Sequence, residues 1–460
     1  MSNLKYIAVI LMYFAFAKAN SQQTTTPANY SFTLEEAINF ALDNNYQAIN
    51  AQRDIVKALK QKWETTATGL PQITGTGDYN YQIKQPVSVL PGEIIGEAPG
   101  TFVPVIFSPK QSSNITATLS QVIFDGSYLV ALEASKTFLD FSENANNKTK
   151  LEVRKGVINA YGGVLLSQEN VAIVTRNLET LEKNLNETRK IFENGLTEEE
   201  DVEQLQITYL QLTNQLNSAK RQTEIAMNMF QLAMGLDLST TVRLADNLES
   251  LAVKTIDPSL GNENLNLDQS VDYQIAVNFT EQRRLEYKLE RSKALPKLTG
   301  FINYGANAFS DEFIFNSGNQ WFQQSVTGVS INWPIFTSFG RKARTDRAKI
   351  AWDQAETDLE RTSQEIRLNY ETALNDYQLA IDTYYTNKQN LELAERIENK
   401  NGIKFTEGIA TSFDLRQAQT QLYQAQAEYL NSMFQVITNK ATLETVLNTP
   451  HYLSPRNDRP

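Results

Sequence analysis

The chain has 460 residues, no cysteine, one histidine (His451), and 42 Lys and Arg against 53 Asp and Glu, a formal charge of −11. Without cysteine there is no disulfide, no thiolate nucleophile and no Cys-ligated metal, and one histidine leaves acid–base work to carboxylates, hydroxyls and amines. The acidic balance argues against a nucleic-acid partner, whose affinity comes mostly from Lys and Arg on phosphates.

At the N-terminus Lys5 precedes the apolar run Tyr6 to Ala17, and Ala17-Lys18-Ala19 follows as a small-residue cleavage site. That order predicts a secretory signal peptide over 1–19, because the run is too short to span a bilayer, which takes about 20 residues. The mature chain then starts near Asn20 with a charge of −13, having lost Lys5 and Lys18. With no cysteine at the cleavage site, a lipid anchor there is excluded. Beyond the signal no long uncharged apolar stretch occurs, which argues against helical spans. Transmembrane strands stay open, since their alternating signal is weak in hydropathy.

A helix is predicted over Leu34–Thr68, ended by Gly69-Leu70-Pro71. Strict alternation follows: Ile73, Gly75, Gly77, Tyr79, Tyr81 and Ile83 share one face, and Thr74, Thr76, Asp78, Asn80 and Gln82 share the other. This is a strand over about 72–84. Pro86, Pro91, Pro99, Pro104 and Pro109 fit an irregular loop, and Ile115, Ala117, Leu119, Gln121 and Ile123 mark a second strand over about 113–124. A long helix, a tip turn near Gly195 and a returning helix complete a first unit, 20–235. Residues 236–266, with Pro258 and Gly261, read as a linker that packs against the helices.

The same order then recurs over 267–447. Gly69-Leu-Pro-Gln-Ile-Thr-Gly75 returns as Ala294-Leu-Pro-Lys-Leu-Thr-Gly300 at an offset of 225. Val122-Ile-Phe124 returns as Pro334-Ile-Phe336 at 212, and Phe192-Glu-Asn-Gly195 with Asp201 returns as Phe405-Thr-Glu-Gly408 with Asp414 at 213. Three matches in one order at nearly constant spacing indicate an internal duplication. The second unit has a helix over Leu267–Lys293, strands over about 297–307 and 324–336, a long helix, a tip turn near Gly408 and a returning helix. A tail, 448–460, carries His451. From Arg341 to Asn401 no Gly or Pro interrupts 61 residues, which is about 90 Å of helix. Leu205, Tyr209, Leu212, Leu216, Ala219, Thr223, Ala226, Phe230 and Ala233 keep a 4-3 spacing. So do Ala418, Leu422, Ala425, Tyr429, Ser432, Val436, Asn439, Leu443 and Val446. Such heptad seams rich in small residues suit close side-by-side helix packing. Four strands cannot close a barrel alone. Either they pack on another part of the protein, or several chains share one barrel.

Taken together, Leu70-Pro71, Leu295-Pro296, Trp333-Pro334-Ile335-Phe336, Gly195…Asp201 and Gly408…Asp414 resemble the TolC-like outer-membrane efflux protein family over about residues 34–447. The resemblance implies an α+β membrane protein: a homotrimer whose four strands per chain make one 12-stranded β-barrel, continued into the periplasm by a long α-helical coiled-coil barrel. It implies an exit duct of a tripartite efflux or type I secretion system in the outer membrane of a Gram-negative bacterium, without cofactor or metal. Its partners would be a periplasmic adaptor, an inner-membrane transporter and outer-membrane lipid. Carried over by motif, the adaptor-docking tips are Gly195, Leu196, Thr197 and Gly408, Ile409, Ala410. The periplasmic aperture would be narrowed by Asp201 and Asp414, with Gln204 and Gln417 one helical turn on, and Pro71, Pro296 and Pro334 are the helix–strand junctions. The family's closing contacts meet Phe405, which lacks a hydroxyl, and Ala410, which lacks a charge. No G-x-x-x-x-G-K-[ST] motif supplies a nucleotide site. The alternative is a periplasmic coiled-coil adaptor or scaffold, which explains the helices but leaves two pairs of amphipathic strands unexplained.

Overall fold

A computed structural model describes residues 30–257, 259–260, 265–316 and 318–450. The signal peptide expected over 1–19, His451 and the tail beyond 450 lie outside the described residues. Helices dominate, and the chain divides into two compact units. Among the described residues the first draws on those from Tyr30 to Asn50, Thr149 to Asn266 and Arg367 to Pro450, and the second on those from Ala51 to Lys148 and Leu267 to Ile366.

In chain order the elements are β1 (Tyr30–Phe32), α1 (Leu34–Asn44), α2 (Tyr46–Ala67), β2 (Gln72–Tyr81), β3 (Ser88–Pro91), β4 (Phe102–Val105), β5 (Gln111–Phe124), α3 (Gly126–Glu193) and α4 (Glu199–Met234). They continue as β6 (Val242–Leu244), α5 (Leu248–Thr255), α6 (Val271–Ser292), β7 (Lys297–Ser310), β8 (Trp321–Asn332), α7 (Gly340–Thr406) and α8 (Ser412–Val446). Among the described residues no helix is long and apolar enough to cross a membrane.

In the first unit the main apolar core gathers Tyr161, Phe230, Met234, Tyr377, Val436 and Leu443. The heptad seams are buried along both returning helices: Phe230 of α4 and Tyr429, Val436 and Leu443 of α8 join this core, whereas Leu205 and Leu212 of α4 and Leu422 and Ala425 of α8 fill two smaller clusters. The expected helix over 34–68 is broken at Asn45, whose φ of −63° and ψ of 136° are extended. No Gly or Pro announces the break. The Asn45 side chain stabilises it by accepting from the Gln47 amide at 2.7 Å and donating to the Ala233 carbonyl at 2.8 Å. The expected linker over 236–266 contains structure of its own. β6 pairs in parallel with β1, and α5 buries Leu248, Leu251 and Ala252.

Tyr161 fixes this layer. Its hydroxyl, fully buried, lies 2.8 Å from the Asp246 carboxylate and 3.0 Å from the Phe32 carbonyl. Asp246 also accepts from the Leu34 amide at 2.9 Å and so serves the start of α1. Burial, with the neighbouring carboxylate, pushes the phenol up, so Tyr161 stays protonated and able to donate.

The second unit holds an antiparallel sheet in the order β2-β5-β7-β8. Its register sets Ile73 opposite Leu119, Leu119 opposite Ile302, Ala117 opposite Tyr304 and Leu298 opposite Ile331. Directly paired residues share a face, so the alternation in each strand adds into one sheet-wide apolar face. β8 joins it only partly, since Gln323, Ser325 and Thr327 fall on that face toward the far end. The face is unburied: Ile73 is 77 % exposed, Val329 60 % and Ile331 66 %.

The strand limits differ from the sequence expectation for local reasons. β2 ends at Tyr81, where its partner β5 begins at Gln111. β7 and β8 run on to Ser310 and back from Trp321, because their pairing extends to Ala308–Trp321. β8 stops at Asn332, not 336, because Pro334 lacks the amide that a ladder needs and biases the residue before it. The proline-containing connection after β2 is more regular than expected, because β3 and β4 pair there as a hairpin.

Candidate functional site

Both tips are built by the same local chemistry. At the end of α3, Gly195 has φ of 75°, its amide donates to the Phe192 carbonyl at 2.8 Å, and the Leu196 amide donates to the Ile191 carbonyl at 3.1 Å. At the end of α7, Gly408 has φ of 72°, its amide reaches the Phe405 carbonyl at 3.0 Å, and Ile409 reaches Lys404 at 2.8 Å. These paired 6→1 and 5→2 bonds are the Schellman ending, and they require a residue that accepts the left-handed region. The turns put Leu196 and Ile409 outward, 78 % and 76 % exposed, with Thr197 and Ala410 half-buried beside them.

The next turns begin with acids. Asp414 closes a capping box with Thr411: its carboxylate accepts from the Thr411 amide at 3.0 Å and the hydroxyl at 2.7 Å. Those hydrogen bonds hold its pKa below the usual carboxylate range. Asp201 does something different. One oxygen accepts from the Thr197 hydroxyl at 2.5 Å, and the other accepts from the Ser412 hydroxyl at the start of α8. Partial burial pushes this carboxyl up, but the bonds from Ser412 and Thr197 outweigh it and leave it lowered. Asp201 therefore ties the first tip to the second within one chain.

Gln204 donates to Glu200 at 2.8 Å, while its own amide oxygen is buried without a partner. Gln417 is exposed. The structure thus brings Asp201 to Ser412, and leaves Asp414 engaged with its own helix cap. Ser412 carries no motif in the sequence, and only its proximity to Asp201 reveals it.

The three proline junctions lie in the second unit. Before Pro71, the Gly69 and Leu70 amides close the helix end on Thr66 and Ala67. Gly69 is pressed against the Tyr128 ring, and a Cβ there would fall 2.2 Å from it. Before Pro296, the Leu295 amide closes on Ser292 at 2.9 Å. At the third junction the Pro334 carbonyl accepts from Arg341 at 2.7 Å, and the Trp333 indole donates to Ala294 at 3.3 Å. Where Pro334 stands in the second half the first has Val122, and β5 runs on to Phe124 with a bulge between Val122 and Phe124. Among the described residues no group of three or more His, Asp and Glu could hold a metal ion.

With this geometry in view, comparison with known proteins is direct. The sequence pattern of the family described as outer membrane efflux protein matches residues 37–236 and 267–449. The outer membrane protein TolC of Vibrio cholerae serotype O1 is 23 % identical over 441 residues, covering 93 % of each chain. The alkaline protease secretion protein AprF of Pseudomonas aeruginosa is 21 % identical over 340 residues, 71 % of this chain and 68 % of that one. The solved outer membrane protein VceC of Vibrio cholerae superposes with a TM-score of 0.70 at 17 % identity, over 90 % of this chain and 96 % of that one. The CmeC outer membrane channel of Campylobacter jejuni gives 0.71 at 16 % identity, over 90 % and 85 %. At these identities the structural likeness speaks for the fold.

Proposed function

This chain belongs to the outer membrane efflux protein family, and on that premise we propose that three copies close one 12-stranded barrel and form a passive exit duct. The protein sits in the outer membrane and extends into the periplasm. As the exit duct of a tripartite efflux or type I secretion system, it takes substrate from an inner-membrane transporter and its periplasmic adaptor. One observation carries the proposal: a four-stranded sheet ending in two unpaired edge strands, β2 and β8, with its apolar face exposed. An open edge in lipid leaves backbone groups unsatisfied, and closure removes the edge. Joining β8 of one copy to β2 of the next does this without a further strand.

The element order helix, strand, strand, long helix, returning helix occurs twice and supports reading the chain as two half-units. Each half-unit then supplies two strands and one tip. The exposed Leu196 and Ile409, set by Gly195 and Gly408 and flanked by Thr197 and Ala410, are the surface on which the adaptor docks. Asp201, Asp414, Gln204 and Gln417 line the aperture just beyond, where ionised carboxylates favour cations. Motion of the packed tip helices opens it.

Reconstitution into planar bilayers tests the duct. A trimer-dependent conductance that rises when the tip is loosened is expected, and its absence from well-inserted protein would sink the reading. Photo-crosslinking from Leu196 and Ile409 in cells should capture a periplasmic adaptor; capture of none would remove the docking role from the tips.

A further inference from the structure

An acidic chain holds a concentrated basic exception. Residues 283–297 and 341–349 carry eleven Lys and Arg against three acids, in a protein with 42 and 53 overall. The first segment ends α6 and enters β7, and the second opens α7 after β8. Both therefore meet at one end of the sheet, where Lys297 pairs with Asn332. Several acids nearby are already matched: Glu290 to Lys293 at 2.6 Å, Glu286 to Arg283 at 2.8 Å, and Glu133 to Lys288 and Arg284. Lys342, Arg347 and Lys349 form no ion pair among the described residues.

Aromatic and aliphatic side chains stand directly beside this charge. Ile335 is 80 % exposed, and Phe336 and Phe339 are each 74 % exposed, their rings in edge contact at 6.0 Å. Ser338 and Phe339 take φ of 49° and 60°, a left-handed conformation that costs a bulky residue energy. The backbone is thus strained to hold a large apolar ring in water. Between these rings and the cations runs a groove of about 560 Å³, whose charged lining is Arg291, Arg341 and Lys342 against Glu290 and Asp346, with Phe336 and Phe339 on its apolar side. A second groove of about 900 Å³, with Tyr287, Lys288 and Trp352, shares Arg291 and Leu295 with it.

We propose that this basic and aromatic collar binds the anionic headgroups of phospholipids in the periplasmic leaflet of the outer membrane. The proposal rests on the barrel reading above, which places this end of the sheet at the membrane–water boundary. Apolar rings there enter the acyl margin, and Arg and Lys beside them meet phosphate. A neighbouring copy fits the surface less well. The helix before its facing strand β2 is also basic, with Arg53, Lys57, Lys60 and Lys62 against Asp54 and Glu64, so like charges would meet. Phosphate removes that repulsion.

The test is native mass spectrometry of the full chain purified in mild detergent and offered dioleoyl phosphatidylglycerol and dioleoyl phosphatidylcholine in equal amounts. The wild-type trimer should retain the anionic lipid in preference. K342Q/R347Q/K349Q should lose that preference by about fivefold for each charge removed. Phe339→Gly relieves the backbone strain and so keeps the fold, yet should lower the number of lipids retained. Equal retention of the two lipids by wild type, or a preference unmoved by the triple substitution, would overturn the proposal. So would loss of the trimer mass in the triple variant, which makes the surface a protomer contact. Displacement of the lipid by millimolar inorganic phosphate overturns it too, since the site then reads phosphate alone. A wild-type chain that forms no trimer at all refutes the barrel reading instead.

Discussion

Three glycines with left-handed backbones separate conformational strain from steric collision. Gly195 and Gly408 have φ of 75° and 72° with open space where a Cβ would sit. Gly235 has φ of 76°, and its Cβ would fall 2.2 Å from the Asn44 carbonyl oxygen. Gly408→Ala should therefore cost about 1–2 kcal/mol, the price of the left-handed region alone. Gly235→Ala should cost clearly more, because backbone of the α1–α2 break must move, and thermal melting in detergent should rank the two in that order. Asp201 gives the complementary case. Its folded pKa is lowered, so it contributes stability above its unfolded value, about 3.9, and loses it as pH falls through the lower folded value. The tip link should be indifferent between pH 5 and 8 and fail only in acid below about 4. At neutral pH, Asp201→Ala should raise hydrogen exchange of the amides from Ser412 to Leu415, and unchanged protection there would deny Asp201 a role in holding the second tip. The sequence makes Gly195, Gly408 and Asp201 visible through their repetition. It cannot show Ser412, because a hydroxyl in a first helical turn is ordinary until the other tip arrives beside it.

At the scale of elements, legibility followed the strength of the repeating pattern. Strands such as β2 and β7 alternate over ten or more residues and stand out. β1 and β6 have three residues each, too few for any period, and exist because each completes the other. The hairpin β3–β4 hides behind prolines, although Pro91 and Pro104 sit on a two-stranded ribbon whose outer edges need no donor. The break at Asn45 hides because the apolar pattern continues through it and its cause is a contact with Ala233 on α4. The β1–β6 layer depends on Tyr161 more than on its own short ladder. Tyr161→Phe keeps the ring and its edge contact with Phe230 but strands the Asp246 carboxylate without its buried donor. Hydrogen bonds to charged groups are worth about 1.5–3 kcal/mol, so the melting midpoint should drop by that equivalent. A variant as stable as wild type would mean that water replaces the hydroxyl.

For the whole molecule, what a single sequence cannot display is the other copy of itself that the proposed barrel requires. Exposure of Ile73, Val329 and Ile331 on a paired sheet is a contradiction for a lone chain in water, and lipid on that face of the proposed barrel would remove it. The unpaired edges of β2 and β8 pose the same question for hydrogen bonds, and the neighbouring copy of the proposed trimer would answer it. The absence of native cysteine makes this testable directly. Register through the sheet sets Thr76, Thr116, Gly305 and Gln324 in line across its width, all on the polar face. A cysteine at Thr76 combined in turn with one at Phe322, Gln324, Val326 or Gly328 samples four registers on that same face. Within one chain these positions are separated by β5 and β7, three strand spacings or about 14 Å, which is too far for a disulfide. Between chains whose β8 and β2 are neighbours they are adjacent. One register should then give covalent dimers and trimers on oxidation in outer membranes, while the others give little. If all four remain monomeric under oxidation, the strands do not meet, and the barrel must be closed by something other than a second and third copy of this chain.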